Sequence, residues 1–198
     1  AVSGSNVVLP FAPGRLIGAD RNGTGRWGSD VNEGAPAAAR SVVGDYTGGP
    51  VIANGRIFVS NFNGETAALA LQTGNEIWSQ PVGAMSQAAV IGGSVFMVTD
   101  DQRLVRLDAS NGNAIWATQL PQWNNPKRNR GFVAHFGPVM AGGRLWVAGA
   151  DGQLRGFDPQ GGAMTYSADI PGGAASAPVV AQGVLYVLGR KGTLNAFQ

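Results

Sequence analysis

The chain has 198 residues, of which 44% are hydrophobic, only 13% are charged and 31 are glycine. This balance excludes a disordered chain and favours short strands and tight turns over surface helices. The net charge of only +2 argues against nucleic-acid binding. The absence of cysteine excludes disulfides, zinc–thiolate sites and cysteine nucleophiles.

Pairs of predicted strands recur along the chain. Each pair has two apolar residues, a turn that contains glycine, and an alternating apolar run, which is typical of antiparallel strands joined by a tight turn. A weaker copy, "VSGSNVVLP", covers residues 2–10. The stronger copies are "PVIANGRIFVS" (50–60), "AVIGGSVFMVT" (89–99), "PVMAGGRLWVA" (138–148) and "PVVAQGVLYVL" (178–188).

A second repeated pattern places a glycine four residues before an aromatic residue. We expect the glycine to form a tight turn and the aromatic residue to lie on the outermost strand of each unit, between neighbouring sheets. Trp27, Trp78 and Trp116 are therefore predicted to be packing residues. The four copies are "NGTGRW" (22–27), "TGNEIW" (73–78), "NGNAIW" (111–116) and "GGAMTY" (161–166).

Both patterns combine into a four-stranded unit with a base period of about 38 residues, which is typical of a propeller blade. The sequence therefore predicts an all-β protein, a β-propeller with about five four-stranded blades in one partial domain, residues 1–198. The last blade is incomplete, because "LNAFQ" stops before an outermost strand. We expect either a fragment of a longer propeller or self-association through the open blade edges. The predicted blades are 1–31, 45–83, 84–121, 134–171 and 172–198.

Two insertions of about a dozen residues interrupt the repeat, near Asp30–Gly44 and near Gln122–Val133. The second insertion is predicted to be a polar, proline-containing loop in which Trp123 has no role in a blade. Aromatic residues and arginine are enriched at binding hot spots, and loops on rigid scaffolds often carry function. Trp123, Arg128 and Arg130 are therefore predicted to bind a partner. The alternatives are that Trp123 caps its own blade and that the basic residues are merely solvated.

Groups suited to catalysis or metal binding are sparse. His135 is the single histidine, and a His-based catalytic device needs a nucleophile and an orienting group beside it. We predict that His135 is a packed or capping residue and that Asp100–Asp101 form a solvated turn. No catalytic residue, metal site or cofactor is expected.

Two family resemblances follow from these motifs. The pattern L-x-x-x-T-G-x-x-x-W in "LALQTGNEIW" (69–78) resembles the repeat of pyrroloquinoline-quinone-type propellers. That superfamily includes quinoprotein dehydrogenases, so a fragment of a quinone-dependent oxidoreductase is one alternative. The ordered series resembles the BamB family of the bacterial outer-membrane β-barrel assembly (BAM) machinery, in particular its alphaproteobacterial members. The segments that carry this resemblance are 45–78, 95–121 and 135–162.

The resemblance to the BamB family implies an eight-bladed periplasmic propeller without catalytic activity. It also implies a lipid anchor on an N-terminal cysteine, docking on the periplasmic POTRA domains of BamA, and a role in the insertion of outer-membrane proteins. This chain departs from that pattern, since it lacks the lipid-bearing cysteine and about three N-terminal blades.

One contact region of the BamB family, an acidic loop that leads into an inner strand, matches "VVGDYTGGP" (42–50). Asp45 lies at the acidic position, and Thr47 stands where the family can carry a second acid. The resemblance therefore implies a partner-binding role for Asp45, and the neighbouring Tyr46 is a further candidate.

Overall fold

The computed structural model describes residues 1–11, 14–30, 48–61, 64–84 and 86–198. These residues form 21 β-strands and one 3₁₀ turn, without an α-helix in the described ranges. No helix in this part of the chain has the length and apolar character needed to cross a lipid bilayer. The molecule is therefore all-β wherever its structure is described.

The first three sheets each contain four strands that lie side by side in chain order. The first sheet contains β1 (Val2–Ser3), β2 (Asn6–Phe11), β3 (Arg15–Asp20) and β4 (Gly25–Asp30). The second contains β5 (Val51–Ala53), β6 (Arg56–Ser60), β7 (Thr66–Ala70) and β8 (Glu76–Gln80). The third contains β9 (Ala89–Ile91), β10 (Ser94–Val98), β11 (Arg103–Asp108) and β12 (Ala114–Gln119).

A separate hairpin and two further sheets complete the described chain. The hairpin contains β13 (Trp123–Asn125), a 3₁₀ turn (Pro126–Arg128) and β14 (Arg130–Phe132). The fourth sheet contains β15 (His135–Ala141), β16 (Arg144–Gly149), β17 (Gln153–Phe157) and β18 (Met164–Asp169). The fifth contains β19 (Val179–Ala181), β20 (Val184–Leu188) and β21 (Leu194–Phe197). Four sequential strands per sheet is the arrangement of a propeller blade.

Burial changes across the third sheet in a way that explains the repeat. In β10 all five residues are buried, whereas in the outer strand β12 exposed and half-buried residues alternate. A strand that is buried on both faces needs mostly apolar residues, and four of the five residues in the run "SVFMV" are apolar. A thin sheet of this kind is stable only when other sheets cover both of its faces.

The described chain divides into two compact units, and the division runs through the third sheet. The first unit contains residues 1–95 and 107–113, and the second contains 96–106 and 114–198. A core cluster of the first unit consists of Val8, Leu16, Ile57, Val59, Ala67, Leu69 and Leu71. A core cluster of the second unit consists of Ala148, Leu154, Ile170, Ala174, Leu185 and Val187.

Three indoles join neighbouring sheets by the same hydrogen bond. In each case the ring Nε1–H donates to a backbone carbonyl in the turn before the outermost strand of the next sheet. The acceptors are Leu71 for Trp27 (3.0 Å), Ala109 for Trp78 (3.0 Å) and Pro159 for Trp116 (3.2 Å). The predicted packing role of these three residues is confirmed.

The repeated glycine has a second role besides forming the turn. Gly112 has φ +76°, and a β-carbon added there would lie 2.6 Å from Cε3 of Trp78. A β-carbon added at Gly162 would likewise lie 2.6 Å from Cε3 of Trp116. Because real side chains do not approach so closely, only glycine lets the turn rest directly on the indole of the preceding sheet.

Candidate functional site

The insertion between the third and fourth sheets, which the sequence predicted to be a polar, proline-containing loop, is a short β-hairpin. Trp123 pairs with Phe132 across the hairpin, and Asn125 pairs with Arg130. Pro126 suits the first position of the 3₁₀ turn because its φ is already fixed. Asn129 closes the turn in the left-handed region (φ 48°, ψ 49°), which asparagine tolerates better than most residues. Local turn chemistry thus builds the hairpin.

Two aromatic rings lie at the base of this hairpin. Trp123 and Phe132 meet edge to face, with ring centroids 5.8 Å apart and planes at 75°. Such cross-strand aromatic pairs stabilise a hairpin by roughly 0.5–1 kcal/mol. Trp123 is half-buried and Phe132 is 50% exposed. The pair therefore holds its own hairpin together and still presents apolar surface to solvent.

Buried residues fix both ends of the hairpin to the scaffold. Leu120 and Val133, which precede and follow it, are almost completely buried. The Leu120 N–H donates to the Gln102 carbonyl at 2.9 Å, and the Val133 N–H donates to the Gln122 carbonyl at 3.0 Å. The side chain of Gln122 also donates to the Asp101 carbonyl at 3.1 Å. The hairpin therefore projects from a firmly held base.

The tip of the hairpin is positively charged and has no acidic neighbour in sequence. Lys127, Arg128 and Arg130 are all exposed, and residues 120–134 contain no aspartate or glutamate. Within the described ranges the salt bridges are Arg103–Asp101 and Arg155–Asp151, so none involves the hairpin. These three exposed cations have no ion-pair partner among the described residues, so they can attract an anionic ligand.

An open groove of about 420 Å³ adjoins the start of the hairpin. On the fourth sheet, Arg155 pairs with Ser167 and Phe157 with Met164, so these side chains share one face. The end of β12 and the two residues after it form the opposite wall. The groove is lined by Thr118, Gln119, Leu120, Pro121, Gln153, Arg155, Phe157, Met164 and Ser167.

The structure brings three of the predicted partner-binding residues together and leaves two undescribed. Trp123, Arg128 and Arg130 share the hairpin, whereas Asp45 and Tyr46 lie outside the described residues. The sequence analysis missed Phe132 as the partner of Trp123. The signal was present, because Asn-Pro and Asn-Arg-Gly between two aromatic residues favour a hairpin turn.

His135 occupies a buried polar cluster and not an exposed catalytic position. It is 2% exposed, and its Nδ1 forms a 2.8 Å hydrogen bond with Oε1 of Gln102. Burial, followed by the positive charge of Arg155, lowers the pKa of His135 from its usual 6.5 to about 4. The neutral, packed histidine agrees with the sequence prediction. The described residues contain no group of three or more His, Asp or Glu side chains suited to a metal ion.

Asp151 and Arg155 complete this cluster. Burial acts to raise the pKa of Asp151, but hydrogen bonds and charge from Arg155 outweigh burial and lower it. Both side chains are largely buried, and Arg155 Nη2 lies 2.5 Å from Asp151 Oδ2. Arg155 is therefore already neutralised where it lines the groove.

Protonation of His135 should destabilise the protein as the pH falls. The pKa is lower in the folded state than in the unfolded state, so the unfolded chain gains the proton first below about pH 6.5. This linkage removes about 2 kcal/mol of unfolding free energy between pH 7 and pH 5. Urea unfolding across that range, compared with His135→Gln, measures it. An equally steep loss in the variant would show that His135 is not the group responsible.

The sequence profile of a family described as "Outer membrane protein assembly factor BamB" matches residues 1–118 and 121–198. The chain belongs to this family. The BamB protein of Yersinia pestis is 27% identical over 172 residues, which cover 86% of this chain and 42% of that protein. The chain thus spans less than half the length of this BamB relative.

Two solved structures support the fold assignment. BamB from Moraxella catarrhalis superposes with a TM-score of 0.68 at 18% identity, covering 96% of this chain and 56% of that one. The WD40 β-propeller domain of Doa1 gives a TM-score of 0.71 at 11% identity, covering 100% of this chain and 62% of that one. At these identities the likeness concerns the fold alone. The predicted β-propeller fold of four-stranded blades is confirmed.

Proposed function

We propose that this chain is the propeller scaffold of a BamB-type subunit in the outer-membrane β-barrel assembly complex. In this role it binds the periplasmic POTRA domains of BamA and aids the insertion of outer-membrane proteins without catalysing a reaction. The observation that carries the proposal is the BamB family match, which extends over residues 1–118 and 121–198. A periplasmic location, with a lipid anchor outside this chain, belongs to the same proposal.

The geometry supports a binding role. Within the second unit, the Trp116 indole bond between sheets and the firmly anchored hairpin provide a stiff surface, which reduces the entropy lost on association. The single histidine is buried, neutral and hydrogen-bonded to Gln102. A rigid surface with an exposed aromatic and basic hairpin suits a partner protein better than a small substrate.

Calorimetric titration of the chain with the isolated POTRA domains of BamA tests this function. We expect saturable binding that Trp123→Ala weakens about tenfold, since partly exposed tryptophans are frequent hot spots. We expect Asp45→Arg to weaken it too, on the basis of the acidic loop position that the family resemblance implies. We expect both variants to unfold within a few degrees of the parent chain. For Trp123→Ala the reason is that Trp123 is only half-buried.

Absence of binding to the POTRA domains would contradict the proposed function. The quinoprotein alternative is tested separately, by adding pyrroloquinoline quinone and calcium to the chain. If the chain instead binds pyrroloquinoline quinone with calcium, develops a bound chromophore and oxidises substrates with a dye acceptor, the oxidoreductase interpretation replaces the scaffold.

A further inference from the structure

We propose that the hairpin at residues 123–132 and the groove beside it form a docking site for an acidic, extended protein segment that carries an apolar side chain. This proposal deepens the proposed function and rests on it, because it specifies the chemistry of the segment that the scaffold binds. The hairpin supplies positive charge at its tip and aromatic surface at its base. The groove supplies a recess that adjoins the start of the hairpin at Pro121.

The charge of the hairpin selects an anionic partner. Lys127, Arg128 and Arg130 are exposed within four consecutive positions, and neither described salt bridge involves them. Arginine binds carboxylates through two parallel N–H donors, so two arginines can hold two acidic side chains of one segment. The remaining lysine adds attraction without a fixed direction.

The aromatic pair supplies the contact area that charges lack. Phe132 is 50% exposed, and its ring is held edge to face against Trp123 at 5.8 Å. Because each ring has few rotatable bonds and is already positioned, binding on top of this pair orders little additional structure. An apolar side chain that flanks the acidic residues therefore has a prepared surface on which to pack.

The groove lies next to the hairpin along the chain. Pro121 lines it, and Trp123 follows two residues later, so their Cα atoms are within about 7 Å of each other. Among the apolar residues that line the groove, Met164 is 57% exposed and offers surface to a ligand, whereas Leu120 and Phe157 are at most 2% exposed. The volume of about 420 Å³ accommodates side chains of a bound segment.

The concave groove favours a polypeptide over an anionic membrane surface. A lipid bilayer could attract the same cations, but its flat surface cannot enter a recess beside them. Arg128 follows Pro121 by seven residues, so their Cα atoms are at most about 25 Å apart. An extended segment of about eight residues spans that distance and can place carboxylates against the hairpin and an apolar side chain in the groove. Charge complementarity and shape therefore point to the same occupant.

Fluorescence anisotropy with three labelled 12-residue peptides tests the proposal on the whole chain. The first peptide alternates glutamate with leucine, the second alternates lysine with leucine, and the third alternates glutamate with serine. We expect the first to bind, the second not to bind, and the third to bind at least tenfold more weakly than the first. The affinity of the first should fall as salt rises, because exposed charges are screened.

Paired charge reversals locate the site. The double variant Arg128→Glu/Arg130→Glu should lose at least tenfold in affinity for the glutamate–leucine peptide. The control Arg190→Glu/Lys191→Glu changes the net charge equally at exposed residues of another turn, and it should stay within twofold of the parent. Thermal unfolding of both double variants should match that of the parent chain, which separates lost binding from lost folding.

Several outcomes would overturn the proposal. Equal losses of peptide affinity in the two double variants would mean that only the net charge of the protein matters. Binding to vesicles containing phosphatidylglycerol, with no binding to the peptide, would assign the hairpin to a membrane surface. If the parent and the Arg128→Glu/Arg130→Glu variant bind POTRA domains equally, the hairpin inference fails and the proposed function stands. If the peptide binds through the hairpin but POTRA domains do not bind, the proposed function fails instead.

Discussion

Replacing Trp78 with alanine is expected to destabilise the protein by about 3–5 kcal/mol, the range for removing a buried aromatic side chain. Trp78 is only 7% exposed, and its ring lies 6.1 Å from the ring of Phe58 within its own sheet. It also supports the turn at Gly112 in the next sheet. Alanine would leave a cavity where two sheets meet, and the close-packed surroundings cannot fully collapse into it.

The hydrogen bond of Trp78 contributes the smaller part of that loss. Its acceptor, the Ala109 carbonyl, also receives Nη1–H of Arg56 at 2.6 Å. Trp78→Phe would therefore keep the carbonyl paired, and we expect it to cost about 1–2 kcal/mol. Urea unfolding of the two variants separates ring packing from hydrogen bonding.

Trp123→Ala is the matched control for the Trp78 prediction. It removes the same side chain from a half-buried position on the hairpin, where the described ring contact is with Phe132. We expect a loss of about 1 kcal/mol, in keeping with one cross-strand aromatic pair. Equal losses at Trp78 and Trp123 would contradict the distinction between a packing tryptophan and a binding tryptophan.

Gly112→Ala should cost about 3 kcal/mol, which is large for adding one methyl group. Part of this cost, about 1–2 kcal/mol, comes from forcing a side chain into the left-handed region at φ +76°. The rest comes from the new β-carbon, which would lie 2.6 Å from the Trp78 ring and must push the two sheets apart. Denaturant unfolding gives both the free energy and any change in cooperativity.

Gly55→Ala separates the two contributions. Gly55 has nearly the same conformation, φ +72°, but no heavy atom lies within 4 Å of its added β-carbon. We expect a loss of about 1–2 kcal/mol from backbone conformation alone. If the two alanine variants are equally destabilised, the contact between the Gly112 turn and the indole contributes nothing to stability.

The sequence predicted the sheets because the spacing of glycine and tryptophan reflects a physical contact. Gly112 and Trp116 each face a neighbouring sheet, so the same short motif recurs wherever two sheets meet. The acceptors of the indole hydrogen bonds could not be predicted, because every residue type has a backbone carbonyl and the sequence does not distinguish one from another. The role of Arg56 at the Ala109 carbonyl was hidden for the same reason, since it joins residues that are far apart in the chain.

The candidate site was predicted in part. The sequence indicated three residues of the insertion that have no counterpart in the repeated blade pattern: Trp123, Arg128 and Arg130. All three lie on one hairpin. The pairing of Trp123 with Phe132 depends on strand register, which residue types alone define weakly when a hairpin lies outside the repeat. Partner binding by Asp45 and Tyr46 remains a prediction, since both lie outside the described residues.

The most direct measurement of how neighbouring sheets are joined is a double-mutant cycle between Trp78 and Gly112. If the glycine turn rests on the indole, removing the ring relieves the clash, and Gly112→Ala should then cost only about 1–2 kcal/mol in the Trp78→Ala background. The same substitution should cost about 3 kcal/mol in the parent chain. An identical cost in both backgrounds would show that the two residues are not coupled, and it would contradict this account of how the sheets pack.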